Sequence, residues 1–322
     1  MRCFISIISI LLASCGVSSG LNVLSSDYIV IPYARYSAAR HTYSMVFDDS
    51  GNMYLDQPYD SKIWKVASDG TLGVFANVAS SGFDWTGGTV FGNYLYVAAG
   101  NNVKKYAPDG SSSTFATGLP ATSEAAVDRT GNYGGDLYIS TGGQDHIYRV
   151  DALGNVSLFS NWPGWTDGGG PIGMEFDTIG NYGGQMYVAT VFGQSNSDKS
   201  GLFVLDTAGN ASRFSNDLVL GLEIAFDTIG LFDGNMYVVA SDAYGAEYSI
   251  WKVFPDGTAE SFATTTSSTI GSLVFGPDGA MYVAEYDASA QEVTVTKIIP
   301  EPATLTLLAL GGFGLLRKRR HN

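Results

Sequence analysis

The chain has 322 residues, 17 Lys and Arg against 31 Asp and Glu, and a formal charge of −14. That is length enough for a sizeable core, but the acidic balance excludes a general nucleic-acid or anionic-membrane surface, because phosphate contacts need Lys and Arg. The 40 glycines, 19 tyrosines and 17 phenylalanines suit a turn-rich β protein, and with only Cys3 and Cys15, both near the start, the body has no disulfide framework.

Residues 1–20 carry one basic residue, an apolar run from Phe4 to Ala13 and then small residues. This is the layout of a secretory signal peptide, with too few apolar residues to span a membrane stably. Two cleavages suit it. Leu12-Ala13-Ser14-Cys15 resembles the lipobox of bacterial lipoproteins, which implies lipidation of Cys15; ordinary cleavage near Ser18 to Gly20 fits the small residues there.

From residue 27 on the chain repeats itself. The clearest copy is 44–75, with Phe47-Asp48, a Gly-containing turn, Met53-Tyr54-Leu55, then Ile63-Trp64-Lys65-Val66, Asp69-Gly70 and Phe75. Each short apolar run ends in a turn signal, so the unit reads as four antiparallel strands. Equivalent tyrosines recur at Tyr54, Tyr96, Tyr138, Tyr187, Tyr237 and Tyr282, steps of roughly 42 to 50 residues, the length of a propeller blade. Asp69-Gly70, Asp109-Gly110, Gly154-Asn155, Gly209-Asn210 and Asp256-Gly257 mark the third turn of five copies, and such dipeptides supply the positive φ of tight hairpins.

The sixth copy lacks a fourth strand, since Pro300 follows Ile299. The run Tyr28-Ile29-Val30-Ile31-Pro32-Tyr33 fits the vacancy, and the N-terminal strand is expected to close the ring as the outer strand of the last blade, where Pro32 is tolerated. The fold class is therefore all-β: a six-bladed β-propeller of four-stranded blades over 21–299. Repeats three to five carry three extra residues, giving Gly131-Asn132-Tyr133-Gly134-Gly135, Gly180-Asn181-Tyr182-Gly183-Gly184 and Gly230-Leu231-Phe232-Asp233-Gly234; these are expected to form elongated hairpin loops on one rim. Asp128, Asp177 and Asp227 precede them at one repeat position and are expected to cap the turns with their side chains.

The repeat, with its Phe-Asp, Gly-Asn-Met-Tyr and later Asp-Gly, resembles the NHL and gluconolactonase-like six-bladed propellers over about residues 27–299. These include hydrolases, binding modules and scaffolds, so the resemblance implies fold more than activity. It implies metal-binding carboxylates and amides at the start of the innermost strands, where Ser44, Glu124, Gly173, Glu223 and Ser272 fall, with Glu175 close by. Glu124 and Glu223 would suit Ca²⁺ or Mg²⁺, but the family's Asn and Asp partners are absent at Gly173 and Ser272. The plain alternative is two solvated or hydrogen-bonded glutamates.

No other catalytic constellation is visible. His41, His146 and His321 form no pair, and there is no nucleophile elbow, phosphate loop or Cys cluster. Trp64 and Trp251 hold matching third-strand sites and read as inter-blade core, whereas Trp85, Trp162 and Trp165 lie in Gly-rich connections and would suit stacking on sugar rings.

The tail has Pro300-Glu301-Pro302, an apolar run from Ala303 to Leu316 and then Arg317-Lys318-Arg319-Arg320. This resembles a PEP-CTERM sorting signal, which implies recognition and removal of the segment by an exosortase. As a helix the run would reach roughly 21 Å against about 30 Å of hydrocarbon, enough for transient membrane association, with the basic cluster holding the cytoplasmic end while the propeller crosses. A C-terminal sorting route makes an N-terminal lipid redundant, which favours ordinary cleavage. The expectation is an exported protein of the Gram-negative cell surface or extracellular matrix, linked to exopolysaccharide or biofilm. Its partners would be the export machinery and a polysaccharide or surface protein; the alternative is a divalent-metal hydrolase of lactonase type.

Overall fold

The computed structural model describes residues 20–57, 60–78, 87–142, 146–161, 170–192, 198–266 and 268–301. The signal peptide with Cys15, the connections holding Trp85, Trp162 and Trp165, and the tail from Pro302 on, including Arg317, Lys318, Arg319 and Arg320, lie outside the described residues.

Six antiparallel sheets follow one another along the chain, and in each the consecutive strands run from the inner one outward, the outermost strands of blades 5 and 6 coming from the N-terminal segment. Blade 1 comprises Met45–Phe47, Met53–Gln57, Lys62–Val66 and Leu72–Asn77. Blades 2 to 4 span 88–117, 125–161 and 170–215, and blades 5 and 6 take their first strands from Leu220–Phe226 and Thr269–Phe275. Innermost strands of neighbouring blades touch around the whole circle, blade 6 meeting blade 1.

The vacancy in blade 6 is filled as expected. Tyr28–Ser37 pairs antiparallel with Glu292–Pro300, from Tyr28 opposite Pro300 to Ser37 opposite Glu292, with a register shift just after Pro32. The proline sits on the outermost strand, where a missing N–H leaves no ladder bond unmade. One feature was not foreseen: Leu21–Val23 adds a fifth strand to blade 5, pairing with Ala263 to Thr265. The N-terminal segment thus grips two blades, and either edge that would be left bare is covered.

A single sheet cannot bury both faces, and the burial shows where the energy lies. The apolar core divides into six clusters, each shared by two adjacent blades. Trp64 belongs to the cluster between blades 6 and 1, its ring 5.3 Å from Tyr36, and Trp251 to that between blades 4 and 5. Four of the five third-turn glycines, Gly110, Gly154, Gly209 and Gly257, serve packing as well as φ. At Gly110 (φ +82°) a Cβ would come 2.5 Å from the Phe75 carbonyl oxygen of the preceding blade, so a side chain there would force the blades apart.

The three long hairpins are a correction to the sequence reading. Phe47 pairs with Met53 but Val127 with Leu137, so the loop is four residues longer rather than three. Its surface is exposed as expected, at Gly131, Asn132, Gly180, Asn181, Gly230 and Leu231, but its aromatic is not: Tyr133, Tyr182 and Phe232 are buried, with Phe232 fully so. The reason is the aspartate before each loop. Asp177 accepts backbone N–H groups from Ile179, Gly180, Tyr182 and Gly184, and Asp128 and Asp227 do the same in their own loops. A carboxylate satisfied by three or four backbone donors winds the loop into a compact knot, and the knot turns its aromatic ring into the joint with the next blade.

Candidate functional site

The innermost strands of blades 3, 4 and 5 each bring one glutamate to the central channel: Glu124, Glu175 and Glu223. They line one cavity of about 190 Å³ together with Ser44, Thr89 and Arg129. Glu124 and Glu223 occupy equivalent positions, opposite Ser140 and Val239 on the second strands; Glu175, opposite Tyr187, lies two residues further along its strand. Blades 1 and 6 place Ser44 and Ser272 at the Glu124 position, and blade 2 places Gly87, whose own carbonyl accepts from Ala98 as that of Glu124 does from Ser140.

Gly87 leaves room for its neighbour. A Cβ there would lie 2.0 Å from the Glu124 carboxyl carbon, so the carboxylate rests directly on the bare backbone of blade 2. Each glutamate also folds back on its own strand: Ala125 N–H donates to Glu124 Oε1 at 3.1 Å, Phe176 N–H to Glu175 at 2.9 Å and Ile224 N–H to Glu223 at 3.2 Å.

Burial governs the electrostatics of the channel. It pushes the Glu124 carboxyl well above the usual range, and the negative charge of Glu223 across the channel adds to this. Glu223 is raised likewise by burial, with Glu175 and Asp56 contributing. Glu175 is pushed up by burial to about 7, held back by the Phe176 N–H and by Arg129, whose guanidinium donates to the Val90 carbonyl. Asp56 of blade 1 accepts N–H groups from Tyr43 and Ser44, both at 2.9 Å. Three carboxyls that disfavour their charged form in one small channel hold protons readily.

Glu124, Glu223 and their neighbour Glu175 thus line one channel. Among the described residues, however, no group of three or more His, Cys, Asp or Glu is placed to hold a metal ion. A Ca²⁺ site needs six or more clustered oxygens. His41 stands apart, its ring 4.2 Å from Tyr43; burial, and then Arg40, lower it to about 4, so it is neutral at physiological pH.

What sequence reasoning missed is a second set of spaces, in the joints between blades. A cavity of about 160 Å³ opens between blades 1 and 2, lined among others by Tyr54, Phe75, Val90, Leu95 and Tyr106. Another of about 120 Å³ opens between blades 2 and 3, lined by Tyr96, Phe115, Leu137 and Val150. The signal was present in the repeats, because these joints follow two of the three blades with a short hairpin and, unlike the joint after blade 6, have Val90 and Val127 where Phe47, Phe176, Phe226 and Phe275 stand elsewhere.

Residues 299–320 match the PEP-CTERM protein-sorting motif. No curated protein matches the chain by sequence. Among solved structures, a gluconolactonase from Xanthomonas campestris superposes with a TM-score of 0.65 at 12% identity, over 87% of this chain and 95% of that one. A calcium-binding regucalcin from Agrobacterium tumefaciens gives 0.58 at 15% identity, over 83% and 93%. A virginiamycin B lyase from Staphylococcus aureus gives 0.55 at 11%, over 84% and 99%. At such identities the likeness is one of fold. The motif marks the protein for export and sorting to the bacterial cell surface. The chain is thus a six-bladed β-propeller, similar in fold to gluconolactonases and virginiamycin B lyase, that carries a PEP-CTERM sorting motif at its C-terminus.

Proposed function

We propose that the protein is a non-catalytic binding or scaffold propeller, displayed on the Gram-negative cell surface or in its extracellular matrix after an exosortase removes the tail. Its partner is a polysaccharide or another surface protein. The observation that carries this reading is the place from which the sorting motif departs. Pro300 ends the third strand of blade 6, opposite Tyr28, and the Glu301 N–H donates to the Asp27 carbonyl at 2.6 Å. The tail leaves from the outer half of one blade, so anchoring or cleavage there leaves the channel and the other five blades free to meet a partner.

The test has two parts. Mass spectrometry of the exported protein should find a C-terminus near Pro302, and an intact Arg320 would refute cleavage. A glycan screen and surface pull-down with the exported protein should capture a polysaccharide or protein, and a blank in both would remove the binding role.

A lactonase-type hydrolase using Ca²⁺ or Mg²⁺ at Glu124 and Glu223 is the second reading. It is favoured by one observation, that both carboxyls face the same channel and feel each other's charge. Calorimetry with either cation decides it: binding heat abolished by Glu124→Gln would revive the hydrolase, and no heat would end it.

A further inference from the structure

The six joints are built on one plan, and the three that follow the short hairpins of blades 1, 2 and 6 lack a part. In the joint of blades 3 and 4, Tyr133 sits 6.2 Å from Tyr138, 6.1 Å from Phe159 and 5.2 Å from Phe176, ring to ring. Tyr182 sits 5.9, 6.1 and 5.3 Å from Tyr187, Phe214 and Phe226 in the next joint. Phe232 sits 5.9, 6.2 and 5.3 Å from Tyr237, Phe262 and Phe275 in the one after. Three different loops place a six-membered ring in the same three-sided aromatic frame.

The register identifies that frame in the joint of blades 1 and 2. Tyr54 is the counterpart of Tyr138, Phe75 of Phe159 and Val90 of Phe176. Leu95 and Tyr106 are the counterparts of Met186 and Leu205, the two residues between which the Tyr133 hydroxyl bridges, donating to the Leu205 carbonyl at 2.5 Å and accepting from the Met186 N–H at 3.1 Å. These five counterparts are walls of the 160 Å³ cavity. It is therefore the space of a missing ring, made wider because Val90 stands where the other frame has Phe176. Its mouth is polar, with Asp48, Asn52 and Lys65, and beside them Tyr94, 39% exposed and carrying the Lys105 ammonium 3.8 Å from its ring centroid.

We propose that this cavity is a binding site for a phenolic ring brought from outside the chain, seated in the frame that Tyr133 and Tyr182 fill elsewhere. The precedent sets the chemistry. The walls accept an aromatic ring edge to face, and the strand ends at Leu95 and Tyr106 are where the two internal phenols place their hydroxyls. The site is separate from the channel and from the sorting motif, and it does not depend on the proposed polysaccharide partner; a failed glycan screen would leave it standing.

The probes are p-cresol, as a free phenol, and the tripeptide Gly-Tyr-Gly, as a tyrosyl side chain, titrated into the full chain by NMR or calorimetry. Binding of either at millimolar concentration or below is expected, with toluene weaker than p-cresol. The stronger probe then shows whether the natural source is a small phenol or a peptide. Val90→Phe, which restores the residue found in four other joints, should weaken binding at least about tenfold and raise the melting temperature by about 2 °C. Should that variant fail to melt cooperatively, inserting Tyr-Gly-Gly-Asp between Asn52 and Met53 copies residues 133–136 into blade 1 and should abolish binding by supplying the ring internally. No binding of either probe to the native chain, or undiminished binding to the filled variants, overturns the proposal.

Discussion

Blades 3 to 5 and blades 1 and 2 come from the same repeat, yet they are joined differently. In the first group a capped loop drives a ring into each joint, and Asn132 and Asn181 tie one loop to the next by donating to the Gly184 and Gly234 carbonyls. In the second the loops are short, the rings are absent, and the joints hold cavities. The channel divides along the same line, with Glu124, Glu175 and Glu223 on blades 3 to 5 and Ser44 and Gly87 facing them. Rigidity and acidity are concentrated in one half of the ring, and accessible space in the other half.

The largest effect should come from removing a ring. Phe232 is fully buried, and Tyr28 of the closing strand stacks on it at 5.0 Å. Phe232→Ala should cost about 4 kcal/mol by opening a cavity, seen as a lowered urea midpoint. Phe75→Ala, in a joint that is already open, should cost about half as much. Equal losses would mean that the two kinds of joint do not differ in packing.

Next come the caps. Asp177 is buried and accepts four N–H groups, so Asp177→Ala strands buried donors and should cost about 3 kcal/mol. Asp48 accepts from Ser50, Asn52 and the Tyr54 hydroxyl on a partly open hairpin, and water can replace it; Asp48→Ala should cost about 1 kcal/mol. Chemical denaturation of both variants checks the ranking, and a reversed order would remove the caps as the cause of the tight half.

How far this contrast could be read from sequence depends on where each residue's partners lie. The blades, their order and the borrowed strand at Tyr28 rest on alternation and turn chemistry, which are local and legible. Leu21–Val23 was not, because three residues carry no periodicity and the strand is made by its neighbour. The inserted loops were visible as exposed, Gly-rich turns, but that Tyr133, Tyr182 and Phe232 turn inward from them was not, because it follows from the wound backbone that the aspartate cap holds. Glu124 and Glu223 were found by position, but their state depends on burial and on each other across the channel. The joint cavities required a comparison of residues two repeats apart, Val90 against Phe176 and Asn52 against Tyr133.

Acidity offers a third test. Glu175 binds a proton up to about pH 7 in the folded chain, against an ordinary value of 4.5. Its contribution is therefore fully present below about pH 4.5 and is lost as pH rises through 7; Glu124 and Glu223 act in the same direction. Asp128 is held low by its hydrogen bonds and acts oppositely, losing its contribution only on acidification below its ordinary 3.8. Since Glu175 keeps part of its surface open to the channel, water there moderates the loss to about 2 kcal/mol. Glu175→Gln should leave the urea midpoint unchanged at pH 5 and raise it at pH 8. A gain of the same size at both values would exclude titration as the cause.

The smallest effect isolates a hydroxyl. Tyr133 and Tyr182 each bridge the next blade, accepting from Met186 and Met236 and donating to the carbonyls of Leu205 and Val253, while Phe232 fills its joint with no hydroxyl at all. Tyr133→Phe keeps the ring and removes the bridge, leaving one donor and one acceptor at the strand end to find each other or water. The expected cost is about 1 kcal/mol, and amide exchange at Met186 should speed up in step with it. If exchange at Met186 is unchanged, the ring alone closes the joint, and the phenol preference inferred for the open joint of blades 1 and 2 loses its precedent. Toluene should then bind there as well as p-cresol does.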